Sequence, residues 1–388
     1  MPTLLRSIIF FSLLSWSVFR SSGQERLMAK YQLWDEDDDR IRVVSWYLKG
    51  ETDLSKEWSM EVVGLLDSIT GATPYGRPAD SGSREWLAEL EDERVAGIVS
   101  FSRIAEQYEH TFEFGYSDEP DYLSKTYGYS IARSLAEETL VLQAGLSFQD
   151  DRVDSSVPGG PGLGIRSKTT PELSIGAYRV LNPKTTLSLN LTWGFPKGYL
   201  SDPYKQIGLT ETLFPGHPTL EREVFYMYPE NRPDERRTFV LYTEATRYLE
   251  GMQASVEGSY RLFSDDASLL GHTIELKLLK RLGEKFVIQP NYRYYQQDSA
   301  EFYRTSLDGT SITPLLQPRG KGPHYSSDYR LSELITQSYG IKLTYFHKED
   351  FSVDFSVDRY VMRGRDGITS QLFYPDARVL TIGFQWEF

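Results

Sequence analysis

The chain has 388 residues, with 42 Lys and Arg against 55 Asp and Glu, no cysteine, five histidines and 26 tyrosines. A formal net charge of -13 argues against a nucleic-acid partner, which favours a basic face. The lack of cysteine excludes disulfides, thiolate metal sites and a thiol nucleophile. Mean hydropathy is -0.43, which excludes a bundle of transmembrane helices, because each helix needs roughly 20 consecutive apolar residues. A large soluble domain or a membrane β-barrel fits these limits.

The first element in chain order is an uncharged stretch over residues 7–19, between Arg6 and Arg20. It is too short to cross a bilayer as a helix. Its basic flank, apolar core and small following residues predict a secretory signal peptide over residues 1–23. A buried amino-terminal helix is the other interpretation. We therefore expect residues 24–388 to form one exported domain.

Alternation of apolar and polar residues dominates the remaining sequence. In the last segment, Leu380, Ile382 and Phe384 share one face, which is the period of a half-buried β-strand. The other face holds Val379, Thr381, Gly383, Gln385 and Glu387. Similar segments recur along the chain at roughly the ten-residue length of a transmembrane strand. They begin near residues 29, 41, 58, 95, 111, 122, 140, 171, 187, 237, 254, 270, 286, 334, 351 and 378.

The connections between these segments alternate between short and long. Residues 105–108, 135–138 and 347–350 are short turns, whereas residues 70–94, 150–168, 195–236, 298–330 and 364–376 are long loops. Tight periplasmic turns and long extracellular loops are typical of outer-membrane barrels. The sequence therefore predicts an all-β, antiparallel transmembrane barrel of sixteen strands, with fourteen as the alternative count. Trp386 and Phe388 predict an aromatic membrane-assembly signal on the last strand.

One segment departs from the alternating pattern. Residues 84–95 place Trp86, Leu87 and Leu90 at helical spacing, which predicts a short helix within a long loop.

Several segments resemble a family of Gram-negative outer-membrane β-barrels known only as a domain of unknown function. They are residues 39–43, 60–74, 115–123, 198–205, 230–237, 292–295 and 326–332. The resemblance covers nearly the whole mature chain and implies an outer-membrane location with no assigned role. It also implies frequent neighbours among thioredoxin-like and flavin-attaching proteins. Most of these segments lie in predicted loops, where binding residues concentrate on rigid scaffolds.

Charged residues on the inward face of the predicted strands are candidate lumen-lining residues. The acidic set is Glu61, Asp67, Glu113, Glu244, Glu257, Glu275, Asp354, Asp358 and Glu387, and the basic set is Arg261, Lys277, Arg293 and Lys342. The bases lie on four successive strands, which predicts a basic stripe opposite an acidic wall. Such a transverse field sorts ions in a pore, and the acidic excess predicts a weak cation preference. Locally paired charges that only satisfy one another are the alternative.

The long loop over residues 195–236 is a candidate constriction loop. Its candidate pore-narrowing residues are Asp202, Tyr204, Lys205, Arg232, Asp234 and Arg236. An external flap is equally compatible with the sequence.

Catalytic and metal motifs are not found in the sequence. None of the five histidines lies in a Gly-x-Ser-x-Gly or His-Glu-x-x-His context. The acidic run over residues 35–39 lacks the ordered spacing and glycine of an EF-hand. We therefore expect no enzyme activity, no cofactor and no resident metal, with an outer-membrane hydrolase as a weaker possibility.

The functional expectation is a porin-like channel for small polar or ionic solutes. The alternative is a loop-plugged barrel that scaffolds a periplasmic redox partner or a lipoprotein. Expected partners are outer-membrane lipids, lipopolysaccharide and the barrel-assembly machinery, with no nucleic acid. The sequence identifies no oligomer interface.

Overall fold

The computed structural model of the protein describes residues 25–74, 87–157 and 160–388. Its main element is one sheet of antiparallel strands that closes on itself. The sixteen barrel strands are β1 (Glu25–Glu36), β2 (Arg42–Asp53), β3 (Trp58–Pro74), β4 (Leu87–Ala105), β5 (Tyr108–Asp118), β6 (Tyr122–Leu135), β7 (Leu140–Asp154), β8 (Ile165–Asn182), β9 (Thr185–Gly194), β13 (Thr238–Leu249), β14 (Ala254–Asp265), β15 (Leu270–Leu282), β16 (Phe286–Gln297), β17 (Leu334–Lys348), β18 (Phe351–Gly364) and β19 (Asp376–Glu387). The predicted signal peptide lies outside the described residues.

Three further strands occupy the loop between β9 and β13. They are the two-residue β10 (Lys197–Gly198) and a separate hairpin of β11 (Gln206–Leu213) and β12 (Arg222–Pro229). Short 3-10 turns span Glu250–Met252, Tyr329–Leu331 and Gln371–Phe373. No helix among the described residues is long and apolar enough to cross a bilayer.

Closure joins the first strand to the last. Leu33 of β1 lies opposite Leu380 of β19, and the register continues to the strand ends. At those ends the Glu25 amide donates to the Phe388 carbonyl at 3.1 Å, and the Phe388 amide donates back to the Glu25 carbonyl at 2.9 Å. Each barrel strand therefore has two partners, and the predicted sixteen-strand antiparallel barrel is confirmed.

The two faces of the barrel wall differ in chemistry. Leu189, Phe355 and Phe384 are more than two-fifths exposed on the outer face, where large apolar side chains recur around the barrel. Residues one position along the same strands point inward and are largely Ser, Thr, Asn or charged. An outward apolar band with an inward polar lining is the arrangement of a transmembrane barrel. The period of two in the sequence thus becomes the two sides of one wall.

Two expectations about the loops are wrong. Residues 87–95 belong to β4, which pairs with β3 as far as Leu87 opposite Pro74, so the predicted helix does not form there. Residues 84–86 lie outside the described residues. Strands β7 and β8 likewise run beyond the expected loop boundaries, to Asp154 and from Ile165. In both hairpins, β3–β4 and β7–β8, the backbone ladder continues past the apolar band. In β4 the cross-strand hydrogen bonds outweigh the local helical spacing of residues 87–95.

The outward face gives a direct test of strand facing. Leu189→Arg, near the middle of β9, should lower the free energy of unfolding by roughly 2 to 4 kcal/mol, because a charge at the bilayer midplane loses its hydration. Thr192→Arg, on the inward face of the same strand, is the matched control and should change stability little. Urea titration of folding into lipid vesicles measures both values. Equal losses for the two variants would contradict the assigned facing.

Candidate functional site

The lumen contains charge pairs that follow the strand register. The Lys277 ammonium on β15 lies 2.7 Å from the carboxylate of Glu257 on β14 and 3.3 Å from that of Glu275 on its own strand. Lys342 of β17 pairs with Asp354 of β18 at 3.3 Å. These pairs on β14–β18 form what we call the paired wall. Their opposite charges cancel within one strand spacing.

The other predicted lumen residues on β13–β18 have neighbours of several kinds. The Glu244 carboxylate accepts a hydrogen bond from the Tyr242 hydroxyl at 2.5 Å, and Asp358 accepts one from the Asn291 amide at 3.0 Å. The Arg261 guanidinium lies over the Phe263 ring at 5.6 Å. Arg293 lies opposite Glu275 in the register of β15 and β16. The four predicted bases thus share one sector of the barrel with acids rather than standing as an isolated stripe.

The pairing continues at the seam of the barrel, where the predicted Glu61 and Glu387 meet residues that the sequence analysis missed, namely Arg26, Lys49 and Glu51. Arg26 of β1 contacts Glu51 at 3.1 Å and Glu387 at 2.9 Å. Lys49 of β2 contacts Glu61 at 2.9 Å. Extending the alternation back into β1 and β2 is the signal that identifies these residues, because they alternate with lipid-facing residues such as Trp46.

The wall formed by β4–β9, which we call the acidic wall, has a different lining. Glu113 and Glu172 face a cavity of about 280 Å³ among Ser147, Ser174, Thr192 and other small residues. The Ser147 hydroxyl donates to Glu172 at 3.2 Å. Within the described chain, neither carboxylate forms an ion pair with Lys or Arg. Glu172 lies opposite Ser147 in the register of β7 and β8, so the same alternation predicts its inward position.

A second lumen cavity, of about 540 Å³, lies at the turn end of the barrel. Its acidic lining residues are Glu25, Glu51, Asp53, Glu61, Glu109, Glu113 and Glu387, and its single basic residue is Arg26. Glu113 therefore lines both cavities. Asp67, by contrast, lies farther along β3 from the turn end, and one of its carboxylate oxygens is buried without a hydrogen bond.

The opposite end of the barrel carries a folded structure built from two loops. We call residues 196–237 and 298–333 the cap. Ile207, Leu307 and Tyr325 form its apolar core and are fully buried. Asn231 and Tyr325 exchange two backbone hydrogen bonds of 2.9 and 3.0 Å, which join the loops. The two loops therefore pack as one unit with its own core.

A network of buried ion pairs lies within the cap. The Arg330 guanidinium bonds Asp202 at 2.6 Å and Asp328 at 2.7 Å. Arg232 contacts the same Asp328 at 2.8 Å and Glu230 at 2.6 Å. The carboxylates of Glu230 and Asp328 are each only 1% exposed. Each buried charge therefore has an opposite partner, as removal from water requires.

The cap spans the mouth of the barrel. On one side the Tyr204 hydroxyl donates to Asp121, between β5 and β6, at 2.6 Å. On the other side Tyr329 packs edge-on against Tyr374 at 5.6 Å. Tyr374 lies in the loop between β18 and β19, and Arg40, between β1 and β2, holds that loop by donating to the Phe373 carbonyl at 3.0 Å. The cap thus contacts widely separated strands and lies across the opening rather than outside it.

Burial and neighbouring charge shift the titration of the cap residues in opposite directions. Burial raises the pKa of Glu230 to about 7, and Asp202 and Asp328 add to the shift against the opposing charge of Arg232. Burial would also raise the pKa of Asp328, but Arg330, Arg232 and Lys205 outweigh it and lower that pKa. Burial lowers the pKa of Lys205. Glu230 is therefore the cap carboxyl that titrates near neutral pH.

The predicted constriction residues divide into two groups. Asp202, Tyr204, Lys205 and Arg232 meet in the cap network or its contact with the barrel wall. Asp234 instead pairs with the exposed Lys321 at 2.7 Å. Arg236 forms an ion pair with Asp265 at the end of β14. The first group therefore lies where the cap meets the mouth of the barrel.

Sequence reasoning missed four participants of the cap network and its contact with the wall, namely Asp121, Glu230, Asp328 and Arg330. A signal for them existed in the family-like segments 115–123, 198–205, 230–237 and 326–332. Each of these segments contributes a charged or hydroxyl group to the mouth. Sequence spacing could not show that they meet.

One group of acids has the spacing of a cation site. Ligand oxygens of Asp92, Glu119 and Asp121 lie within 4.8 Å of one another, at the mouth end of the acidic wall.

The five histidines lie apart, on β5, β15, β17 and the two cap loops, and each has its own neighbours. The His110 and His272 rings hydrogen-bond to Tyr129 and Tyr260 at 3.0 and 2.8 Å. The His324 ring contacts the Gly320 carbonyl at 3.1 Å. The His217 ring accepts from loop amides, and the His347 ring packs near Tyr345.

Comparison with known proteins identifies a family model described as a protein of unknown function (DUF3570), which matches residues 16–386. No curated protein matches the sequence. Solved structures with similar folds include a bacterial polysaccharide outer membrane secretin, at 8% identity and a TM-score of 0.47, covering 94% of this chain and 98% of that one. OccK8 (OprE) of Pseudomonas aeruginosa has 10% identity and a TM-score of 0.43, with coverage of 96% and 100%.

The siderophore receptor PirA from Pseudomonas aeruginosa is also similar, at 10% identity and a TM-score of 0.45. The alignment covers 94% of this chain and 61% of the receptor, so the chain spans less than two thirds of that receptor's length.

The raised pKa of Glu230 predicts a pH-dependent cap. The folded cap binds the proton more tightly than the unfolded loop, so cap stability falls as pH rises from about 4.5 to about 7 and is level above. The total loss is about 3 kcal/mol at most. Hydrogen exchange of residues 224–232 and 325–332, corrected for intrinsic rates, measures this profile. Glu230→Gln should flatten it, while Glu223→Gln on the same hairpin should keep it. A wild-type profile in the Glu230 variant would refute the assignment.

Proposed function

Because the chain belongs to the DUF3570 family, whose description assigns no function, we propose a function from the barrel itself. The protein is an outer-membrane channel for small polar or ionic solutes, and it prefers cations. The observation that carries this proposal is the uneven distribution of paired charge around the lumen. On the paired wall four predicted acids lie beside four predicted bases, and Lys277 and Lys342 form ion pairs with acids. Glu113 and Glu172 on the acidic wall form no ion pair within the described chain.

Uncompensated carboxylates act on ions in a lumen more strongly than paired ones. The field of a paired acid and base falls off quickly, because the two charges nearly cancel a few ångströms away. Glu113 and Glu172 lack that cancellation and lie among hydroxyl groups that can replace part of a cation's hydration shell. A pore wall of one charge sign concentrates counter-ions, so cations should pass more readily than anions.

The cap supports a narrowed mouth above this lumen. Its central carboxylates, Glu230 and Asp328, are buried and ion-paired, so the cap is a formed structure at the opening. Solutes would enter through the cavity between the cap and the acidic wall, beside the contact of Tyr204 with Asp121. They would then pass Glu113 and reach the acidic cavity near the turns.

The outward face supports the proposed location. A continuous band of exposed apolar side chains is costly in water and stable in lipid. Export by the predicted signal peptide and insertion by the barrel-assembly machinery are part of this proposal. Contacts with lipopolysaccharide and other outer-membrane lipids would follow from the same location.

The same cap favours a second candidate function, a plugged barrel that holds a periplasmic redox or lipoprotein partner. Its network contacts several sides of the mouth, as a permanent plug would require. Conductance of the purified protein in planar bilayers separates the two candidates. Single-channel steps support the channel, and a membrane that stays silent with correctly folded protein supports the scaffold.

The acidic wall makes the channel proposal specific. Replacing both Glu113 and Glu172 with Gln should lower the cation-to-anion permeability ratio by about twofold or more, because it removes the unpaired charge from the lumen. Reversal potentials in a KCl gradient measure the ratio. Glu223→Gln, an exposed change on the cap hairpin, should leave it unchanged. An anion-selective wild-type channel, or no shift in the double variant, would sink the proposal.

The contact between Tyr204 and Asp121 predicts the behaviour of the mouth. Tyr204→Phe keeps the ring and removes one hydrogen bond to a carboxylate, worth about 1.5 kcal/mol. Loosening the cap on that side should raise the ratio of wide to narrow conductance states roughly tenfold. Single-channel recordings give the ratio. Tyr226→Phe, at an exposed position of the cap hairpin, is the control, and an identical change in both variants would argue against a role for the contact.

A further inference from the structure

A cavity of about 580 Å³ lies between the cap and the mouth end of the acidic wall. Much of its lining is aromatic or aliphatic. Tyr122, Tyr199 and Tyr204 present rings to it, and Ile41, Ile69 and Val153 add apolar surface. A cavity of this volume suits a small organic molecule, because the apolar side chains can bury its body and the charged side chains that complete the lining can fix its orientation.

One corner of this cavity contains the three carboxylates of Asp92, Glu119 and Asp121, which we call the acid corner. Their oxygens lie within 4.8 Å of one another. The described basic side chain that approaches them is Arg94, at 3.4 Å from Glu119. The Tyr204 hydroxyl donates one hydrogen bond to Asp121 but carries no positive charge. Three acids thus share one cation, and burial raises the pKa of Glu119 against the opposing charge of Arg94.

The other charged groups around the cavity are compensated. Arg330 and Arg232 bond the cap carboxylates, and Arg236 pairs with Asp265. Lys168 lies 3.5 Å from the buried Asp151. Lys205 lies 5.8 Å from the centre of the Tyr329 ring, among the acids of the cap. The acid corner is therefore the part of the cavity with excess charge, and that charge is negative.

We propose that this cavity binds an organic cation with a primary ammonium group on an aromatic or apolar body. The ammonium would lie in the acid corner, where its three N–H donors match three carboxylates. The body would lie against the tyrosine rings and aliphatic side chains, which also stabilise a cation through the ring faces. A bare metal ion would make no use of those apolar walls.

This inference deepens the proposed cation preference and rests on it for passage through the barrel, but binding itself needs no open channel. A primary amine that enters through the mouth would meet the acid corner before the acidic wall. The acid corner therefore makes primary amines the class of solute that the entrance would bind.

Calorimetric titration of the purified full-length protein in detergent, at neutral pH and low salt, tests the site. The probes are 2-phenylethylammonium, the neutral 2-phenylethanol, the anionic 3-phenylpropionate and Ca²⁺ alone. We expect the ammonium to bind at least tenfold more tightly than the alcohol, and the anion not to bind. Equal binding of the alcohol, or binding of Ca²⁺ without the ammonium, overturns the proposal.

Matched double variants locate the binding. Asp92→Asn with Glu119→Gln removes two charges from the acid corner and should weaken ammonium binding tenfold or more. Glu93→Gln with Asp118→Asn removes two exposed charges from the same two segments, away from the cavity, and should leave binding intact. Equal affinity in both doubles overturns the site. Heat-modifiable gel migration confirms that each variant is folded.

The two proposals fail separately. Ammonium binding by a protein that conducts no ions would sink the channel and support this site. A cation-selective channel that binds no ammonium would sink this site and support the channel.

Discussion

The hydrogen-bonded seam between β1 and β19 is the constraint on which the structure depends. In lipid, every unpaired backbone amide or carbonyl costs several kcal/mol, so a sheet can cross a membrane only as a closed ring. Closure fixes the register of each strand, and register decides which side chains point inward. The charge pattern of the lumen is therefore a consequence of backbone pairing, since acids and bases on adjacent strands can meet only at fixed positions.

The lumen and the cap solve one problem in different ways. Both contain charged groups that have lost part of their hydration, and in both most of these groups are paired with an opposite charge. In the lumen, pairing is local, as between Lys277 and Glu257 on neighbouring strands. In the cap, Asp202 and Arg330 come from different loops, and their pairing holds those loops together. Two places stand out against this background: Glu113 and Glu172 of the acidic wall have no ion-pair partner within the described chain, and the three carboxylates of the acid corner share Arg94 alone.

The fold was largely predictable from sequence, whereas the site was predictable only in part. Alternation is a local property, so sixteen strands and their facing follow from positions such as Leu380, Ile382 and Phe384. The segment over residues 87–95 was misassigned because its helical spacing is also local, while its pairing with β3 is not. The cap network was not predictable in detail. Glu230, Asp328 and Arg330 become partners only after separate loops fold over the mouth, and sequence spacing carries no such distance.

The cap has an apolar core of its own, in Ile207, Leu307 and Tyr325, outside the barrel wall. Its two loops begin and end at neighbouring register positions, Gly194 with Thr238 and Gln297 with Leu334. The cap is thus a module set on fixed anchor points. Substitutions, insertions or exchanges within it do not require any strand to shift register. The entrance of this barrel can therefore diversify over evolution while its transmembrane wall stays the same.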